Sequence, residues 1–393
     1  MLIKNKKIIE DGIKDRRYIH ANPEISYEEY NTFKYLLDKI KDIKNIEIDE
    51  SLKPTLLATL HLNKHGNTVA FRADIDALEL TEETNLPFRS KNRGVMHACM
   101  HDMHTATLLM LLKHVEGQCE NLKKIKKIKF IFQSAEENPI RGGGAIRVVE
   151  SGFLDDVDYF FANHFDSSVP IGEILTTIRP MTSNHDVFDI YLEGVGGHGS
   201  RPEQTCDVIP VACEIIQALQ TLISRKTDPF HPIVLSITDI HAGEGTYNII
   251  PGTLNMRGTL RTMYKKDREN SHTEIKKMIS HIGSAHDIKT EYVPTFGYPS
   301  VLNHLDCFEI IKRAVPDKFK FKDRIFGMAG EDVAFLIKKT KKSRGALFLT
   351  GTADINIPGS CFPLHNSKLE GNEKAMEIAL SVFLNILNIV DTI

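Results

Sequence analysis

The chain has no CxxC pair, no long uninterrupted apolar run and no surplus of either charge. Its six cysteines, Cys99, Cys119, Cys206, Cys213, Cys307 and Cys361, are scattered. In a chain this long that argues against a disulfide scaffold and for a reducing compartment. The N-terminal stretch MLIKNKKIIEDGIKDRRYIH is charged and helical in pattern, without the apolar core of a signal peptide. No apolar run reaches the roughly 18 residues that a membrane span needs. The most apolar segment, Met376 to Val390, is interrupted by Glu377, Asn385 and Asn388 and reads as a buried terminal helix. With 49 basic and 52 acidic residues the formal charge is −3, so nothing calls for nucleic acid or an acidic membrane surface. Repeats and low-complexity tracts are absent too. These absences leave a cytoplasmic protein with neither a nucleic-acid nor a membrane partner as the expectation.

What is there is an ordinary globular composition, 41% hydrophobic and 26% charged, over 393 residues. That length exceeds what one core usually serves, so two domains are expected. The densest chemistry lies in VMHACMHDMHTA, Val95 to Ala106. His97, Cys99, His101 and His104 fall there within eight residues, with Asp102 beside them. Thiolate and imidazole suit zinc, cobalt or manganese. On a regular helix Cys99 and His101 would splay roughly 200° apart, so they converge only on an extended or turning backbone. The apolar helix from Thr105 to Val115 places the cluster on the loop before it. Four core-satisfied or solvated side chains are the plain alternative.

Other site-type residues fall at the ends of predicted strands. Thr68 to Phe71 leads into RADIDAL, with Asp74 and Asp76 where α/β sheets gather ligands. A metal-binding histidine usually has a carboxylate behind it, which favours Asp74. Ile125 to Gln133 ends in SAEEN, where a turn can bring Glu136 and Glu137 into one site. Val157 to Ala162 ends at Asn163 and His164. The glycine run RGGGAIRVVESG opens a helix but lacks the lysine–serine/threonine ending of a phosphate loop.

Near Ile178 the pattern changes. Between His185 and Val293 it predicts strand, helix, strand, strand, helix, strand, the split ferredoxin-like order. Three features stand out there: His198 in the glycine-rich turn GVGGHGSRP, Asn248 in GTYNIIPG, and Arg261 in GTLR, a possible carboxylate fork. The first pattern resumes after Ser300, where His365 sits in a Pro-Leu-His-Asn turn and Glu331 in GED reads equally as a helix N-terminal carboxylate. The expected domains are 1–180 and 297–393 for the first, with 181–296 inserted.

Taken in order, HANPEIS, RADIDAL, MHACMHDMHTA, FQSAEE, GGHGSRP, NIIPG, GTLR, GEDVAF and LHNS make the chain resemble the amidohydrolase branch of the aminoacylase and carboxypeptidase-type metallopeptidases nearly end to end. The resemblance implies an α/β zinc-peptidase-like catalytic domain with an inserted ferredoxin-like α+β lid and dimerisation domain. It implies two divalent ions (Zn, Mn or Co) on Cys99, His101, Glu137, His164 and His365, with Glu136 as catalytic base. Asp74 would orient a metal histidine, His198 would face the substrate carbonyl, and Asn248 and Arg261 would lie on the substrate side. The implied substrate is a small N-acyl amino acid, and the implied assembly a homodimer or higher homo-oligomer. Alternatives are a metallo-dipeptidase or carboxypeptidase, and a catalytically silent binding homologue. Two positions depart from the family pattern: Met100 replaces the glycine of CGHD, and Ser134 replaces the proline of PAEE.

Overall fold

The computed structural model describes residues 6–138 and 143–393. Met1–Asn5 of the N-terminal stretch with a helical pattern, and Arg141–Gly142 of the glycine run, lie outside them. The chain separates into two compact units. One comprises 1–181, 301–326 and 332–393; the other comprises 182–300 and 327–331.

The larger unit begins with α1 (Lys6–Ala21), α2 (Tyr30–Ile40), β1 (Ile46–Asp49), β2 (Leu56–His61) and β3 (Asn67–Asp74). It continues with α3 (His101–Glu116), β4 (Ile125–Gln133), α4 (Gly143–Glu150), β5 (Tyr159–Pro170) and β6 (Glu173–Thr176). The smaller unit supplies β7 (Asn184–Glu193), β8 (Gly197–His198), α5 (Val208–Lys226), β9 (Ile233–Ala242), β10 (Ile249–Ile250), β11 (Thr253–Thr262), α6 (Lys265–Ala285) and β12 (Lys289–Phe296). The larger unit then resumes with α7 (Leu305–Ala314), β13 (Lys320–Asp323), α8 (Val333–Lys339), β14 (Gly345–Ala353) and α9 (Lys374–Val390).

The larger unit is built on an eight-stranded sheet in the order β1-β2-β4-β3-β5-β14-β6-β13. Its centre, β4-β3-β5-β14, is parallel. Strands buried on both faces favour apolar runs over alternation; VAF, FIF, YFFA and ALFL are apolar throughout, while Lys129 of β4 is buried with Asp156 as its partner. One face packs on α1, α2, α3, α7 and α9 through residues such as Leu36, Leu109, Ile311 and Phe383; the other packs on α4 and α8 through Val148 and Leu336. Two expectations need correction here. β5 does not stop at Ala162, because β14 pairs with it as far as Pro170, so Asn163 and His164 are inside a strand. α3 starts at His101 rather than Thr105, so only Cys99 of the donor pair remains on the loop.

The smaller unit is a four-stranded antiparallel sheet, β12-β7-β11-β9, with α5 and α6 on one face. Strand–helix–strand–strand–helix–strand in that spatial order is the ferredoxin-like arrangement. α5, at 19 residues, is long and apolar enough to cross a membrane by length and composition. Its Val208, Val211, Ala212, Ile215, Leu219 and Leu222 are instead buried against the sheet. Each unit closes on itself where the chain passes between them. In the larger, the Met181 N–H donates to the Val301 carbonyl at 2.9 Å; in the smaller, Ser300 Oγ donates to the Thr182 carbonyl at 2.6 Å.

Candidate metal centre

All five expected metal ligands, together with Glu136 and Asp74, belong to the larger unit, and the fold brings them together. One donor atom each from Cys99, His101 and His164 lie within 4.8 Å of one another; so do those of Cys99, Glu137 and His365, and those of His101, Glu136 and Glu137. Cys99, His101 and Glu137 each belong to two of these three triplets. The centre therefore has the form of three donor triplets, each sharing one residue with each of the others.

Local backbone explains the convergence. Met100 adopts a left-handed conformation (φ 63°), which turns the chain between the Cys99 loop and the first turn of α3. A side chain in that conformation costs about 1–2 kcal/mol relative to glycine. Here the Met100 side chain is buried in the main core, which offsets the strain. His365, also left-handed at φ 64°, donates its backbone N–H to the Ala98 carbonyl at 2.8 Å, so the two donor loops are stitched together. His164 stands just beyond Ala162, the last β5 residue paired with β3, where that side of the strand becomes free.

The imidazoles are oriented by their second nitrogens. His164 Nδ1 donates to the Phe165 carbonyl at 2.6 Å, leaving Nε2 3.5 Å from Cys99 Sγ. His101 Nδ1 faces the Asp76 carbonyl at 3.0 Å and its carboxylate at 3.2 Å, which turns Nε2 towards Glu137. The carboxylate behind His101 Nδ1 is thus Asp76, which sequence reasoning left out of the site. Asp74, expected in that place, is 3.6 Å from His101 Nε2 and bonds His104 Nδ1 and Arg72 instead. His104 Nε2 accepts the Phe165 N–H at 2.9 Å, so both its nitrogens are used within the protein. Arg72 also reaches Gln133 and Asp332, which sequence reasoning missed as well. Its signal was an arginine inside the apolar strand VAFRAD, because a buried charge needs partners.

The electrostatics call for positive charge at the centre. Burial pushes the Cys99 thiol well above its usual range, and Glu137, Glu136 and Asp74 push it the same way. Burial works against a charged His101, yet Asp74, Asp76 and Glu137 outweigh it and lift the imidazole to about 10. His101 Nε2 and Glu137 Oε1 are buried without a hydrogen-bond partner, although Glu137 Oε1 lies 3.2 Å from His365 Nε2. Orphaned imidazole nitrogen and carboxylate oxygen beside a thiol fit divalent cations of the zinc, manganese and cobalt type.

The three remaining predicted residues lie in the smaller unit. His198 on β8 pairs with Ile249 on β10, next to Asn248, whose carbonyl accepts the Gly199 N–H at 2.8 Å. His198 is exposed, and its Nδ1 accepts the Ser200 N–H at 3.1 Å. Arg261, on β11 opposite His185, is half-buried and makes no ion pair among the described residues.

The sequence profile of peptidase family M20/M25/M40 matches residues 70–389. An N-acyl-L-amino acid amidohydrolase of Geobacillus stearothermophilus is 36% identical over 294 residues, 75% of this chain and 78% of its own. Thermostable carboxypeptidase 2 of Saccharolobus solfataricus is 34% identical over 387 residues, 95% and 93% of the two chains. Among solved structures, a Bacillus subtilis dinuclear metal-binding peptidase of the M20 family superposes with a TM-score of 0.84 at 29% identity, covering 99% of this chain and 100% of that one. With its overlapping donor triplets and a profile match over most of its length, the chain belongs to peptidase family M20/M25/M40.

Proposed function

We propose that the protein is a metal-dependent amidohydrolase that cleaves N-acyl amino acids to a carboxylic acid and a free amino acid. The observation that carries this reading is the sharing of Cys99, His101 and Glu137 between neighbouring donor triplets, an overlap that suits two adjacent cations. Cys99, His101, Glu137, His164 and His365 would hold two divalent ions, zinc, manganese or cobalt. When bound, they would acidify the attacking water and polarise the acyl oxygen.

The remaining chemistry belongs to this chain's own residues. Glu136 takes a proton from the water as it adds to the amide carbon, then passes it to the nitrogen as the C–N bond breaks. Asp76 and the Phe165 carbonyl hold the His101 and His164 rings, while Asp74 serves through His104. His198 donates to the developing oxyanion, from its own chain or from the second subunit of a dimer. Asn248 and Arg261 hold the amino acid's carboxylate. Residues 1–180 and 297–393 form the catalytic domain, 181–296 the lid and dimerisation domain, and the protein is a cytoplasmic homo-oligomer.

The relation to a carboxypeptidase over 95% of this chain favours a second reading, hydrolysis of unblocked peptides on the same centre. Chelated protein reloaded with manganese, zinc or cobalt is assayed on acetyl- and benzoyl-amino acids and on free dipeptides. The proposal expects hydrolysis of blocked substrates in a reloaded form. Turnover of dipeptides alone supports the second reading, and no hydrolysis with any metal overturns both.

A further inference from the structure

Ser134 to Glu137 delivers both glutamates, and side chains from elsewhere in the larger unit hold its backbone. The Ser134 N–H donates to Thr55 Oγ1 at 3.1 Å, and the Glu137 N–H to Asp76 Oδ2 at 2.9 Å. Between them Ala135 is left-handed (φ 56°) and fully buried. An alanine held there costs energy that the surroundings must over-determine. Its carbonyl accepts the Gly144 N–H at 2.8 Å, and its N–H donates to Glu29 Oε1 at 2.7 Å. Glu29 stands at the N-cap of α2 but does not cap that helix with its side chain. Its carboxyl is fully buried, and the other oxygen has no hydrogen-bond partner. Burying a carboxyl group costs free energy, and this one is answered by backbone N–H groups, that of Ala135 beside its own and that of Tyr27.

We propose that Glu29 is a positioning residue for the hydrolytic reaction: by accepting the Ala135 N–H it fixes the left-handed peptide from which Glu136 and Glu137 project. This rests on Glu136 as the proton carrier. Remove the acceptor and the Ala135 N–H is buried unpaired, so the peptide has reason to rotate. A shift of about 1 Å in a reacting group costs on the order of 100-fold in rate.

The test compares metal-loaded Glu29→Gln, Glu29→Leu and the double variant Glu29→Leu/Ala135→Gly, measuring kcat, KM, metal per chain and amide exchange at Ala135. Glu29→Gln keeps an acceptor and is expected to stay within about threefold of the parent kcat, with Ala135 still protected. Glu29→Leu is expected to lose about 30-fold or more in kcat with KM and metal content retained, and with faster exchange at Ala135. Glycine holds a left-handed backbone without help, so the double variant should regain much of that loss. Glu29→Leu at parent kcat, a double variant no better than Glu29→Leu, or a folded Glu29→Gln as slow as expected for leucine would each overturn the proposal. If Glu29→Leu does not fold, the glutamine variant alone decides. Full activity in Glu136→Gln would instead remove the reading beneath it.

Discussion

Arg16 donates from Nε to Asp102 Oδ2 at 2.7 Å, with both side chains buried. The same guanidinium donates to the Glu370 carbonyl at 3.0 Å and to Glu373 at 3.3 Å. One side chain on α1 thus ties the residue after His101 to the segment that follows His365. Burial opposes ionisation of Asp102, but Arg16 and His20 hold its carboxyl far below the usual range. Arg16→Met strands that carboxylate with His20 as its remaining partner. The expected loss is about 3–5 kcal/mol in denaturant unfolding, together with weaker retention of metal during dialysis.

Glu136→Gln should lower kcat by about 10² to 10⁴. Metal content and KM should stay at the parent values, because the amide leaves the donor set of Cys99, His101, Glu137, His164 and His365 intact. Elemental analysis alongside steady-state kinetics checks both halves.

Met100 sets two effects against each other. Met100→Gly relieves about 1–2 kcal/mol of left-handed strain but empties a buried site whose truncation typically costs about 2–5 kcal/mol. Met100→Ala empties it without the relief. The expected order of stability is parent, then glycine, then alanine, read from urea midpoints.

Glu29 gives a pH signature. Burial first, and then the charge of Asp76, raise its carboxyl to about 8 from an ordinary 4.5. Between those values the folded chain keeps a proton that the unfolded chain has released, so this contribution to stability is full below 4.5 and is lost as pH rises through 8. Glu29→Gln has nothing to ionise. Its unfolding free energy should decline less than the parent's between pH 5 and pH 8.

Cys99 gives a proton count. With the thiol held above its usual range by burial and three carboxylates, apoprotein at pH 8 carries it protonated, whereas a coordinated cysteine is a thiolate. Reloading apoprotein in weak buffer should release about one proton per chain more than reloading of Cys99→Ala. Calorimetry in buffers of different ionisation enthalpy measures the difference.

Much of this architecture was legible from residue patterns. The parallel strands announce themselves as unbroken apolar runs, and β7 alternates buried and less buried positions in VFDIYLE, as a sheet covered on one face should. What escaped notice shares one cause, polar residues buried because the fold supplies partners. His101 to His104 look like loop, yet form the first turn of α3, since Asp76, Asp74, Arg16 and the Phe165 N–H answer their side chains. NHFDSS looks like the end of a strand, yet β14 keeps it extended. Asp332 was overlooked beside Glu331 because its partner Arg72 lies 260 positions away.

The hydrogen bond from Met181 to Val301 closes the larger unit where the chain departs on its main excursion and returns. The excursion is therefore topologically a cassette. It can be lengthened, exchanged with a relative's or replaced by a short turn without rethreading any strand of the eight-stranded sheet. Variation in that segment leaves in place the strands and loops of the larger unit that carry the five donors.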